Sequence, residues 1–259
     1  MMVRPKKKYG QHFLGDENIA RKIVTAIDSG FEGNVLEIGP GTGVLTKYLK
    51  ERFSHLYAFE IDAEAFLFMK EAFPQLEGKI RNEDFLKADL KELSKEELIV
   101  VGNFPYNISS QIFFRILEHR GNISQVVGMI QKEVAERIAA GPGSKTYGIL
   151  SVLLQAYYSI EYLFTVNPSV FIPPPKVKSA VIRLKRKEKK HLDCDEALFF
   201  RLVKLSFNQR RKTLRNSLKS ILLNLNTEEE LFSKRPEQLS VKDFVELTNL
   251  VSLKKNTNL

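Results

Sequence analysis

Cysteine is nearly absent: Cys194 stands alone among 259 residues, which excludes a disulfide framework and a cysteine-rich zinc site and suits a reducing compartment. The four histidines, His12, His55, His119 and His191, lie far apart with no ligand spacing, so no metal is expected. No apolar run approaches the roughly 20 residues of a membrane-spanning helix, and no membrane association is expected. The N-terminus, Met1 to Lys8, is basic but leads into Tyr9-Gly10-Gln11 instead of an apolar stretch, so no secretory signal is expected. These absences point to a cytoplasmic chain. Its length suits one large domain or a catalytic domain with a small appendage.

Acids are outnumbered. The formal net charge is +9, which points to a polyanionic partner. The excess is local. From Lys176 to Lys190 there are eight Lys/Arg against one acid, Glu188, and from Arg201 to Lys219 seven against none. Arg4, Lys6, Lys7 and Lys8 form a third cluster. Any one of these reads as a solvated surface; three of them around a mixed-charge core favour nucleic acid.

Strand and helix patterns alternate through the first part. Helices are expected over Glu17 to Ile27, Val44 to Lys50, Ala63 to Ala72 and Ile112 to Leu117, and strands over Asn34 to Ile38, His55 to Ile61, Leu98 to Val101 and Val126 to Ile130. This alternation predicts an α/β fold, a mostly parallel sheet with helices on both faces. Beyond about residue 150 the pattern changes. Tyr157 to Val166 and Val177 to Leu184 read as strands around Pro168 and Pro173-Pro174-Pro175. Glu196 to Phe207, Leu214 to Leu223, Glu228 to Phe232 and Val241 to Leu250 read as helices, the last capped by Ser240 with Asp243. A boundary near Lys187 would separate a domain over 1–187 from a small all-helical domain over 188–259.

Two motifs carry chemistry. Gly39-Pro40-Gly41-Thr42-Gly43 follows a strand and opens a helix, where glycine lets the backbone approach a ligand. Its G-x-G-x-G spacing differs from the G-x-G-x-x-G of dinucleotide folds, which disfavours NAD. Glu60, ending the next strand, can accept both hydroxyls of a ribose, and Asp84 is placed to meet an adenine amine. The set predicts a nucleoside cofactor, S-adenosylmethionine (SAM). Asn103-Phe104-Pro105-Tyr106 then ends a buried strand. The Asn103 carboxamide oxygen and the Pro105 carbonyl can each accept one hydrogen of an aromatic amine, and Tyr106 can stack on the base. Asn103 cannot act as a base, and none is needed with a sulfonium methyl donor. These three are the expected catalytic residues. A turn that uses Gly, Asn and Pro for geometry alone is the alternative for either motif in isolation.

On these residues the chain resembles the ribosomal RNA adenine dimethyltransferases almost end to end. The shared stretches include Gly10-Gln11-His12-Phe13-Leu14, the glycine loop, Glu60-Ile61-Asp62, Asp84-Phe85, Asn103 to Ser109, Phe171 to Val177 and Phe207 to Leu214. The resemblance implies a Rossmann-like SAM-dependent methyltransferase domain followed by a helical RNA-binding domain. It implies cofactor contacts from His12, Leu14, Gly39, Gly41, Glu60, Asp84 and Asn103. It also implies an adenine sandwiched between Phe171 and Tyr106, and phosphate contacts from Arg210, Arg211, Lys212 and Arg215. The implied reaction is N6-dimethylation of two adjacent adenosines in the 3′-terminal hairpin loop of 16S rRNA within the immature small ribosomal subunit, by a monomer. The rivals are a large-subunit rRNA adenine methyltransferase conferring antibiotic resistance and an assembly factor that acts mainly by docking. Phe104 argues against DNA adenine and protein glutamine methyltransferases, which more typically carry Asp/Asn-Pro-Pro-Tyr. This sequence departs from the family with Tyr9 and Phe104 where leucine is common, and Lys178 where aspartate is usual.

Overall fold

The computed structural model describes residues 3–222 and 228–256. They form two compact units: Met1–Ala135 with Ile160–Arg186, and Glu136–Ser159 with Lys187–Leu259. The break at Lys187 lies where composition changes, but Glu136–Ser159, expected from sequence in the first domain, belongs with the C-terminal helices.

The first unit opens with a short strand, β1 (Phe13–Leu14), and helix α1 (Glu17–Thr25). Alternation follows: β2 (Asn34–Ile38), α2 (Thr46–Arg52), β3 (Leu56–Phe59), α3 (Ala63–Ala72), β4 (Ile80–Arg81), β5 (Leu98–Asn103), α4 (Ser109–Glu118), β6 (Ile123–Gln131) and α5 (Lys132–Ala139). After α6 (Ile149–Tyr157) come β7 (Tyr158–Val166), β8 (Phe171–Ile172) and β9 (Ser179–Arg186). The main sheet has the order β4-β3-β2-β5-β6-β9-β7, and β1 pairs antiparallel with β8. The ladders from β4 to β6 are parallel; β9 lies antiparallel to β6.

All five residues of β2 and Leu98 to Gly102 of β5 are buried, so both faces of the sheet are covered. Because the chain runs outward from β2 through β3 and β4, then returns to the other side of β2 as β5, the order reverses between β2 and β5. Their carboxyl ends open on the crevice where ligands bind in such sheets. Helix starts are fixed locally. The Asp16 carboxylate accepts from Asn18 and Ile19 N–H, and Asp62 accepts from Glu64 N–H.

Phe104 has a structural account. Its buried ring lies against Gly102 and Gly128, where a Cβ on Gly128 would come within 2.6 Å of it, and it meets Phe113 edge-on at 5.9 Å. Two glycines make the room that the larger side chain needs.

In the second unit, α7 (Glu196–Asn208), α8 (Leu214–Ser217) and α9 (Val241–Asn256) pack around Phe199, Phe232 and Phe244. Asp195 caps α7 through Leu198 N–H, and Ser240 caps α9: its hydroxyl accepts from Asp243 N–H at 3.2 Å while the Asp243 carboxylate accepts from Ser240 N–H at 2.7 Å. The helix expected over Leu214 to Leu223 stops at Ser217, and Leu223 lies outside the described residues. Asn216 and Ser217 bond back to Thr213 and Leu214 and compete with helical pairing. Glu228 to Phe232 forms no α-helix; a 3₁₀ turn covers Glu230–Ser233.

Candidate active site

The glycine loop leaves β2 with Gly39 at φ +64° and Gly41 at φ +59°, backbone that L side chains rarely adopt. A Cβ at Gly41 would come within 2.8 Å of the Phe13 ring. A Cβ at Gly39 would meet no atom within 4 Å, and this residue lines an open cleft. Gly39, Gly41, Glu60 and Asp84 all line that cleft. Leu14 and Asn103 line a second recess, which shares Phe13 and Gly39 with the first.

Glu60 is aimed by backbone. Gly41 N–H donates to Oε2 at 3.0 Å and Asp62 N–H to Oε1 at 2.9 Å, which fixes the carboxylate and leaves each oxygen a further lone pair. Burial pushes its pKa up against the pull of those amides. Asp84 is held similarly, accepting Leu86 N–H at 3.0 Å. Two residues before Gly39, Glu37 is wholly buried. Burial raises its pKa to about 8, with Glu60 nearby adding to the rise and the Thr46 hydroxyl, donating at 2.6 Å, opposing it. Glu37 was not among the residues expected from sequence; an acid inside an apolar strand was the available signal.

Asn103 ends β5 beside this cleft. Its Nδ2 donates to the His12 carbonyl at 2.7 Å, which assigns the amide and leaves Oδ1 as the acceptor. The Pro105 carbonyl takes Ile108 N–H at 3.2 Å and keeps one lone pair. The Tyr106 hydroxyl shares a 2.5 Å hydrogen bond with Ser179, and burial raises its pKa, so it stays a phenol. The His12 ring lies 5.3 Å from the Tyr106 ring, tilted by 31°, and its Nδ1–H donates to the Pro173 carbonyl at 2.8 Å. His12 was expected at the cofactor; its side chain instead engages Tyr106 and Pro173, and only its carbonyl reaches a cleft residue. Phe171, expected to present a ring to a flipped base, is 2% exposed and packs in the apolar core with Leu14, Val127 and Val181. Strand pairing of Leu14 with Phe171 draws it inward.

The arm before β1 is strapped down. Lys6 Nζ contacts Asp62 Oδ1 at 2.5 Å and Glu64 Oε2 at 3.1 Å, while Tyr9, Gln11 and Phe13 line the cleft. The basic clusters are therefore unequal. Lys6 is paired, as are Arg183 with Glu161, Lys185 with Asp28 and Arg186 with Glu97. In the second unit Arg211, Lys212 and Arg215 are exposed on the turn and short helix after α7, and Arg210 donates to the Ser144 carbonyl at 3.3 Å. Among the described residues no group of three or more His, Cys, Asp or Glu could hold a metal ion, and no helix is long and apolar enough to cross a membrane.

A mostly parallel sheet with a glycine loop at its switch point and acids following successive strands is the Rossmann-like architecture of SAM-dependent methyltransferases. Comparison narrows this class. The model of the ribosomal RNA adenine dimethylase family matches residues 2–253, and the chain belongs to that family. It is 57% identical to the Ribosomal RNA small subunit methyltransferase A of Parabacteroides distasonis, over 98% of this chain and 96% of that one. Among solved structures it is similar to a dimethyladenosine transferase from Plasmodium falciparum (TM-score 0.77, 26% identity, 95% of this chain and 98% of that one). It is also similar to the 23S rRNA methyltransferase ErmE (TM-score 0.65, 27% identity, 92% and 99%).

Proposed function

We propose that the protein transfers methyl groups from SAM to the N6 amine of adenine in ribosomal RNA, dimethylating two adjacent adenosines in the 3′-terminal hairpin loop of 16S rRNA. The observation that carries this reading is the Asn103 amide. With Nδ2 held by the His12 carbonyl, Oδ1 is left to accept, at the strand end beside the glycine loop. The bound cofactor supplies an activated methyl on a sulfonium. The protein supplies position. The adenine N6 lone pair is delocalised into the ring, so the amine is a poor nucleophile. Asn103 Oδ1 and the Pro105 carbonyl each accept one N6 hydrogen, which favours the pyramidal amine with its lone pair free. Tyr106, its ring fixed through Ser179, stacks on the base. The methylated amine is strongly acidic and loses its proton to water. Extruding the base costs a few kcal/mol, less for a loop adenine.

Glu60 holds the ribose of the cofactor and Asp84 its adenine. Arg210, Arg211, Lys212 and Arg215 bind RNA phosphates. Phe171, whose strand pairs with Leu14, lies beneath this arrangement in the core. A high identity over almost the whole chain to small-subunit enzymes supports the small subunit over the large. The substrate is the immature small subunit and the enzyme works in the cytoplasm as a monomer. The test is incubation with labelled SAM and undermethylated small subunits, followed by mapping of the modified bases. Label on two adjacent adenines of the 3′-terminal hairpin is expected; label on large-subunit RNA, or none, would overturn the assignment.

A further inference from the structure

The loop from Ile172 to Lys178 joins β8 to β9 and carries three consecutive prolines, each with φ fixed by its ring. It is pinned at both ends, through His12 and through Ser179 to the residues around Asn103 and Tyr106. His12 Nδ1–H donates to the Pro173 carbonyl at 2.8 Å, Lys132 N–H donates to the Lys178 carbonyl at 3.0 Å, and Ser179, the next residue, holds Tyr106. Pro175 is buried beneath it. A loop so held is a stiff prong.

Its surface chemistry is unusual for this molecule. Ile172 is 67% exposed and Val177 46%, two of the five large hydrophobic side chains exposed among the described residues. A third, Ile61, lines the cofactor cleft. Single exposed aliphatics need no explanation, but a rigid pair at the rim of an active site marks a contact surface. Lys176 and Lys178 are exposed, and no carboxylate among the described residues pairs with either, whereas Arg183, Lys185 and Arg186 of the same basic stretch are all paired. Lys190, at the far end of the stretch, is exposed too; Lys178 adjoins Ser179, which holds Tyr106.

An aliphatic surface flanked by unpaired ammonium groups fits nucleotides that have lost a stacking neighbour. The aliphatic side chains cover a base face exposed when the adjacent base leaves the stack, as apolar wedges do elsewhere, and the ammonium groups meet the flanking phosphates. We infer that this prong docks on the nucleotides next to the target adenine, with Ile172 and Val177 covering the vacated base face and Lys176 and Lys178 binding its phosphates. The inference rests on the proposed RNA substrate and names the part of it that the site reads.

The test uses the full chain and undermethylated small subunits, comparing Ile172→Ser with Val177→Ser in one variant and Lys176→Gln with Lys178→Gln in another. The aliphatic pair is expected to lower kcat about tenfold, since an uncovered base face opposes extrusion. The lysine pair is expected to raise KM for the subunit and flatten the log–log salt dependence by about 1 to 2, one for each phosphate left without its ammonium partner. SAM affinity, read by calorimetry, stays unchanged in both, which separates docking from damage to the fold. Variants that match the unsubstituted protein in kcat, KM and salt slope would overturn the prong; so would a loss of SAM affinity that accounts for the whole defect. Failure of the unsubstituted protein to methylate the subunits would instead sink the RNA assignment itself.

Discussion

Replacing Glu37 by Gln is expected to stabilise the protein, and more so as pH rises. The carboxyl sits in the middle of the sheet, wholly buried, with its pKa raised from 4.5 to about 8. Between those values the folded protein holds a proton that the unfolded chain does not. Stability from this group is therefore highest below pH 4.5 and falls as pH climbs towards the folded value. At about 1.4 kcal/mol per unit, the cost at pH 7.5 is roughly 4 kcal/mol, an upper figure that local relaxation reduces. Glutamine keeps the oxygen that accepts the Thr46 hydroxyl and carries no charge to bury. The assay is thermal unfolding without cofactor from pH 5 to pH 8.5. Near pH 5 the two proteins should melt within about 1–2 °C of one another, and near pH 8 the variant should melt several degrees higher, given about 2–4 °C per kcal/mol for chains of this size. If the variant melts lower at pH 8, or the two curves run parallel, Glu37 is ionised in the fold and the burial argument fails.

Three further outcomes follow from the same geometry. Asn103→Ala removes both the acceptor and the tether to the His12 carbonyl; methyl transfer should fall by about 10²–10³, while RNA binding in a filter assay stays near its original value, and near-normal transfer would refute the proposed chemistry. Converting Arg210, Arg211 and Lys212 to Gln should weaken RNA binding and reduce the salt slope by about 2; an unchanged slope would move the phosphate contacts elsewhere. Lys6→Gln cuts the arm from Asp62 and Glu64, so the KM for SAM should rise several-fold with kcat at saturation nearly unchanged, and an unaltered KM would show that the arm is held without this ion pair.

What could be read in advance follows from where the information lies along the chain. Helix Ala63–Ala72 was legible to its ends because Asp62 caps it within two residues and its apolar spacing is helical. Helix Ile149–Tyr157 was not, because seven of its nine residues are buried and a segment apolar all round has no period to detect. The same division runs through the site. Gly39, Glu60, Asp84 and Asn103 were legible because a parallel α/β sheet delivers successive strand ends to one edge, so local patterns place distant residues together. The partnerships of Lys6 with Asp62, 56 positions on, and of Tyr106 with Ser179, 73 positions on, have no such rule behind them. Lys6 looked like one more member of a basic cluster, and only its carboxylate partners distinguish an arm clasp from an RNA contact. Phe171 shows the converse. The two-residue ladder between β1 and β8 decides which way its ring faces, and a pairing that short leaves no alternation in the sequence from which inward and outward positions could be told apart.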